Sequence, residues 1–207
     1  MQQEWQQGEH VSIWGGTGSG KTTICAGLAN LRQYICVLAS KQEDKTLDLY
    51  KGFKVLDDWK KRQWYQTRVI VWPYARYGQD VDQVFRRVSH ETMDDIYWEK
   101  HWTLQLDDAK MLRHLGLMGD VKKLFAHMRS QGSSLVFNDV RPFETIQEAL
   151  DQTTYKLSFY MEDRRDVWRM AESAGRDPRR LQAYNNQLRR YEFVFLPKWG
   201  DPILVRN

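Results

Sequence analysis

Cysteine is scarce: the 207 residues contain two, Cys25 and Cys36. Two thiols cannot build a disulfide framework or a Cys-rich metal site. Both lie in apolar segments, which predicts reduced core thiols and a cytoplasmic setting. The five histidines show no ligand spacing. His90-Glu91 begins like a zinc-binding helix, but Asp94 stands where the second histidine would be needed. No apolar run approaches the ~20 residues of a membrane-spanning helix, so no span is expected. The opening MQQEWQQGEH lacks the basic-then-apolar layout of a secretory leader. Nor is there an excess of one charge. Lys and Arg number 31 and Asp and Glu 27, for a net +4, which permits nucleic acid without demanding it.

What is present is ordinary globular composition, 42% hydrophobic and 28% charged, with nine tryptophans. The length predicts one domain over 1–207. Short β-rich runs recur at His10–Trp14, Tyr34–Ala39, Arg68–Trp72, Trp102–Leu106, Ser134–Phe137 and Tyr155–Tyr160. Between them the spacing predicts helices over Thr22–Leu31, Gln79–Lys100, Ala109–Ser130 (broken near Gly116–Gly119) and Pro142–Gln152. Alternation of this kind predicts an α/β fold with a mostly parallel sheet flanked by helices. A helix is expected over Asp177–Arg190. Tyr191–Pro197 and Pro202–Val205 then predict a C-terminal β-hairpin at about 190–206, turning through Gly200-Asp201.

The strongest motif is Gly15-Gly16-Thr17-Gly18-Ser19-Gly20-Lys21-Thr22, a complete G-x-x-x-x-G-K-[ST] P-loop between a strand and a helix. The glycines let backbone N–H groups curl round an anion without side-chain clashes. The helix N-terminus adds its positive dipole. Lys21 is expected on the β- and γ-phosphates of ATP, and Thr22 in the shell of a Mg²⁺ ion, with Thr23 beside it. A P-loop needs a metal-orienting carboxylate at another strand end. Trp102–Leu106 runs into Asp107, the expected Mg²⁺ partner, and Asp108, the expected activator of water. Asp108 also reads as a helix N-cap. Ser134–Phe137 runs into Asn138, placed as a γ-phosphate sensor if this strand is inserted between the other two.

Together these residues resemble the FtsK/HerA superfamily of P-loop DNA-pumping motors, of the RecA/ASCE type. The likeness is carried by the P-loop, Asp107-Asp108, the Arg129-Ser130-Gln131-Gly132 segment, the following strand with Arg141-Pro142, and the closing hairpin. It departs where Asp108 replaces the commoner Glu and Val140 the commoner Gln. The resemblance implies a Mg²⁺-dependent ATPase that moves double-stranded DNA, above all a packager of viral genomes. It implies a homo-oligomeric ring, hexameric or pentameric, meeting a capsid or portal vertex, in the host cytoplasm or the virion. It also implies arginines that reach a neighbour's ATP, at Arg129 and Arg141. A conjugative or plasmid DNA-transfer ATPase of the same superfamily is the near alternative.

Two segments mix bases with aromatics as a nucleic-acid surface would: Lys51–Lys54 and Trp59–Tyr65. Tryptophans packing on the core explain the second equally well. Arg179, Arg180, Arg189 and Arg190 form a further basic cluster, suited to a channel or a subunit interface. A small-molecule kinase is a rival reading, with Arg164, Arg165 and Arg169 as a phosphate-clamping lid. Its acidic strand would come unusually late in the chain. An ATP-dependent interaction module is a third.

Overall fold

The structure is a computed structural model, which describes residues 5–39 and 45–206. Met1–Glu4, the first residues of the stretch weighed as a leader, lie outside the described residues. Nine strands form one sheet: β1 (Val11–Trp14), β2 (Ile35–Leu38), β3 (Lys54–Leu56), β4 (Arg68–Val71), β5 (Thr103–Leu106), β6 (Ser134–Asp139), β7 (Tyr155–Phe159), β8 (Phe193–Leu196) and β9 (Ile203–Val205). Their spatial order is β3-β4-β2-β5-β6-β1-β7-β8-β9. The first seven are parallel, and β8 and β9 add antiparallel. All six strands expected in the α/β portion form, and the hairpin forms as β8–β9. Strand β6 is inserted between β5 and β1, as the Asn138 assignment requires.

The central strands β1, β2, β5, β6 and β7 are buried on both faces, as strands covered by helices on either side must be. One face is covered by α1 (Lys21–Asn30), which buries Cys25, Ala26 and Ala29 against Val11, Ile13, Ile35 and Val37. The other face carries α2 (Val81–Glu99), α3 (Ala109–His114), α4 (Met118–His127), α5 (Gln147–Asp151), α6 (Arg164–Ser173) and α7 (Pro178–Asn185), packed on Trp14, Leu104, Leu106 and Phe137. The expected helix over 109–130 is divided at Gly116, where φ is +71°, into α3 and α4 and a closing 3-10 turn. The segment expected as helix over 142–152 starts as a 3-10 turn at Pro142–Glu144 and becomes α5 only at Gln147. Helix α6 and the short edge strand β3 were not expected. Among the described residues no helix is long and apolar enough to cross a membrane. Both cysteines are buried and neither is in a disulfide.

Candidate nucleotide site

Strand β1 delivers the chain into Gly15, whose φ is +149° and where a Cβ would lie 2.6 Å from the Phe159 Cβ. Only glycine lets the loop pass this close to the end of β7. The turn closes at Gly20, in the left-handed region, and α1 starts with no side-chain cap and no acidic residue in its first turn. Its first N–H groups and positive dipole end are thus left for an anion. The Lys21 ammonium donates to the carbonyls of Gly15 at 2.7 Å and Gly16 at 2.9 Å, lying across the loop. The Ser19 hydroxyl is buried with no hydrogen-bond partner. Thr22 is half-buried in the first turn and Thr23 is exposed.

Parallel register brings the acids to the same edge. Trp14 stands opposite Asp139, and Phe137 opposite Leu106, so β1, β5 and β6 end side by side. Asp107 is buried, and Asn138 donates from Nδ2 to its carbonyl at 2.9 Å and toward its carboxylate at 3.5 Å. The Asn138 Oδ1 is buried without a partner. Asp108 caps α3, accepting from the Lys110 N–H at 3.0 Å and the Met111 N–H at 3.4 Å. Of its two sequence readings, these hydrogen bonds are those of the cap. Asp139 has its carboxyl raised above the usual range, because burial outweighs the Arg113 guanidinium 2.8 Å away. Arg113 escaped the sequence reading, since its partner lies 26 residues further on.

A Mg²⁺ ion and a nucleotide fit this edge. The Thr22 hydroxyl and Asp107 carboxylate are the hard oxygen donors that Mg²⁺ takes. The orphaned Ser19 hydroxyl and the Cβ-free cradle at Gly15 suit a phosphate. Beside the loop opens a cleft of about 860 Å³, within the range for a nucleotide-sized ligand. Its walls are the P-loop, the loop after β6, the end of β7 and the segment before β8. Tyr191 stands in it on a left-handed backbone, φ +69°, with a ring carbon 3.2 Å from where a Cβ of Gly20 would be. The Arg190 guanidinium lies 4.7 Å over the Tyr191 ring. Nothing in the sequence beyond an aromatic beside two arginines marked this tyrosine.

Arg141 lines the same cleft, held by Asp166, Glu144 and Asp163. Asp163 also caps α6, and its carboxyl is held down to about 2, chiefly by Arg165. Arg129 is elsewhere. It lies in the 3-10 turn that precedes β6, exposed at the N-terminal edge of the sheet, opposite its own P-loop edge.

The basic segments separate into different roles. Trp59 is buried, with Arg62 4.5 Å over its ring, so the core reading holds for it. Lys60 pairs with Glu91, Lys61 with Asp57 and Arg62 with Glu99, and only Trp64 and Tyr65 of this run stand out into solvent as large apolar groups. The four late arginines are not one cluster: Arg189 and Arg190 line the nucleotide cleft, whereas Arg180 pairs with Asp201. The arginines read as a kinase lid belong to α6. Arg169 is tied to the carbonyls of Phe143 and Thr145 and Arg164 packs on Trp168, so they brace the fold. Among the described residues no group of three His, Cys, Asp or Glu is placed to hold a metal by itself.

No protein-family profile and no curated protein sequence matches the chain. Solved structures do. The genome packaging NTPase B204 from Sulfolobus turreted icosahedral virus 2, in complex with sulfate, superposes with a TM-score of 0.66 at 11% identity, covering 98% of both chains. VirB4 of Thermoanaerobacter pseudethanolicus gives 0.67 at 10% identity, over 95% of this chain and 88% of that one. EssC (ATPases 2 and 3) from Geobacillus thermodenitrificans gives 0.60 at 11% identity, over 98% of this chain and 40% of that one. At these identities the likeness is one of fold: the chain has the mostly parallel α/β fold of these structures.

Proposed function

We propose that this chain is, as a single domain, an ATPase motor that moves double-stranded DNA, with packaging of a viral genome as its role. The observation that carries the ATPase reading is the meeting of the complete P-loop with Asp107 and Asn138 at one sheet edge, beside a nucleotide-sized cleft. Lys21 would leave the loop carbonyls for the β- and γ-phosphates. Mg²⁺ between Thr22 and Asp107 would supply positive charge to those phosphates. Asp108 would orient and deprotonate the attacking water, and Asn138 would hold Asp107 and sense the γ-phosphate.

The DNA-moving role is supported by the whole-length likeness to B204, described as a genome packaging NTPase, and by the sequence resemblance. The likeness to VirB4 keeps conjugative transfer as the second reading. The ring reading is supported by Arg129. Exposed on the edge opposite its own P-loop, Arg129 would reach a nucleotide only where that nucleotide belongs to a neighbour. Arg141, held by three carboxylates, would keep the cleft wall in place and approach phosphate only if that network opened.

The test is phosphate release from ATP with and without Mg²⁺, by wild type and by Lys21→Ala. Mg²⁺-dependent release that the variant loses along with nucleotide binding is expected. Near-wild-type turnover by folded Lys21→Ala would overturn the site assignment.

A further inference from the structure

A second concentration of positive charge lies at the edge of the sheet opposite the P-loop. A pocket of about 210 Å³ is lined by Arg129, Lys156 and Lys198, with Thr153, Thr154 and one carboxylate residue, Asp151. Lys156 stands on β7 opposite Ser12 of β1 and is 5% exposed, its ammonium donating to the Thr153 carbonyl at 3.2 Å. Among the described residues no ion pair involves Arg129, Lys156 or Lys198. Burial holds the Lys156 ammonium down to about 8, Arg176 adding to the effect and Asp151 opposing it.

A buried cation without a paired carboxylate is costly. The strand would be more stable with an apolar residue there, so the cost points to a ligand that supplies negative charge. The pocket is too small for a whole nucleotide, since such sites run from about 300 Å³ upward. It has room for a phosphoryl group and a few waters of ~30 Å³ each. A larger molecule can enter it only by its tip, past the exposed Arg129.

The two phosphate-suited places of this chain, the P-loop and this pocket, lie on opposite edges of one sheet. A contact that joins them between copies is head-to-tail, the interface type that closes into rings. We propose that this pocket takes the terminal phosphate of ATP bound in the P-loop of a neighbouring copy, with Lys156 and Lys198 as phosphate ligands beside Arg129. The inference rests on the ring reading above.

The test uses full-length Lys156→Met, alone and in mixed rings whose composition is verified by mass. Alone, it should lose turnover tenfold or more, while its own P-loop binds a fluorescent ADP analogue, which lacks the terminal phosphate, as wild type does. Its melting midpoint should be unchanged or raised, because a buried charge has been removed; a merely structural lysine would lower it. Mixed with Lys21→Ala, which supplies an intact Lys156, it should recover turnover. Lys198→Ala, at the pocket wall, should show a smaller loss with the same recovery. Wild-type turnover by both pocket variants, while Arg129→Ala and Lys21→Ala still complement each other, would overturn the pocket and leave the ring reading standing. Failure of that Arg129→Ala and Lys21→Ala pair in verified mixed rings would overturn the trans role of Arg129, and with it the meeting of this edge with a neighbour's P-loop. Loss of double-stranded DNA affinity by Lys156→Met at unchanged DNA-free turnover would make the occupant a DNA phosphate and contradict the proposal.

Discussion

The side chain of Asn138 holds Asp107 from the neighbouring strand, donating to its backbone carbonyl at 2.9 Å and toward its carboxylate at 3.5 Å. The strand end and the carboxylate are thus fixed by one amide. If Asp107 orients Mg²⁺, Asn138→Ala should raise the Mg²⁺ concentration needed for half-maximal turnover several-fold and lower turnover at least tenfold. Nucleotide affinity without Mg²⁺ should stay within about twofold of wild type. A Mg²⁺ titration of phosphate release checks this, and an unchanged curve would detach Asn138 from the site.

Asp108 separates two roles by chemistry. As the N-cap of α3 it accepts from backbone N–H groups, and asparagine caps as well as aspartate does. Asp108→Asn should therefore keep the melting midpoint while removing the carboxylate that would take a proton from water. Turnover is expected to fall by two orders of magnitude with ATP binding retained. Asp108→Ala should in addition cost about 1 kcal/mol of stability. If Asp108→Asn hydrolyses ATP normally, the buried Asp139 is the next acid to substitute.

Tyr191 holds a backbone conformation that costs a non-glycine residue on the order of 1 kcal/mol, and its ring stands in the cleft beside Gly20. A base stacked on it would gain about 1–3 kcal/mol. Tyr191→Gly removes the ring at no backbone penalty. It should weaken ATP binding about tenfold and leave the fold within roughly 1 kcal/mol of wild type, whereas Tyr191→Phe should bind normally. Equal affinity of Tyr191→Gly and wild type, measured by calorimetry, would exclude the tyrosine from nucleotide binding.

His10 is 1% exposed, accepts the Leu135 N–H at its Nδ1, and has its pKa lowered to about 4 by burial first and Arg129 second. An unfolded histidine titrates near 6.5. Between pH 6.5 and 4 the unfolded chain binds a proton that the folded chain refuses, so this group removes stability as pH falls through that window. The loss reaches roughly 3 kcal/mol by pH 4. Urea denaturation at pH 7 and pH 4.5 should show His10→Asn with a shallower loss than wild type. Parallel losses would mean that the carboxylates alone set the acid limit.

The fold and the phosphate cradle were legible because their signals are contiguous. The P-loop carries its glycines, lysine and threonine in eight consecutive positions, and six strands announced themselves by short apolar runs. Helix α6 was hidden because its apolar stripe, Val167, Met170 and Ala171, lies among charges. Strand β3 is three residues long, with Lys54 and Val55 exposed, and gives no buried face to read. The charges of Lys60 and Arg62 looked available to nucleic acid because their partners Glu91 and Glu99 lie 31 and 37 residues away. Pairing at that separation is set by the packing of α2, which a local reading cannot supply. The same holds for Arg141, whose carboxylates Asp163 and Asp166 come from α6 and its cap.

The protein proposed here is a ring-forming ATPase coupled to double-stranded DNA. Steady-state phosphate release with and without double-stranded DNA, read on the same sample as its mass in solution, tests it most directly. A ring motor gives a closed oligomer whose turnover rises several-fold with DNA of any sequence and falls back as salt weakens phosphate contacts. A monomer that hydrolyses ATP at high dilution, at a rate indifferent to DNA, would contradict it.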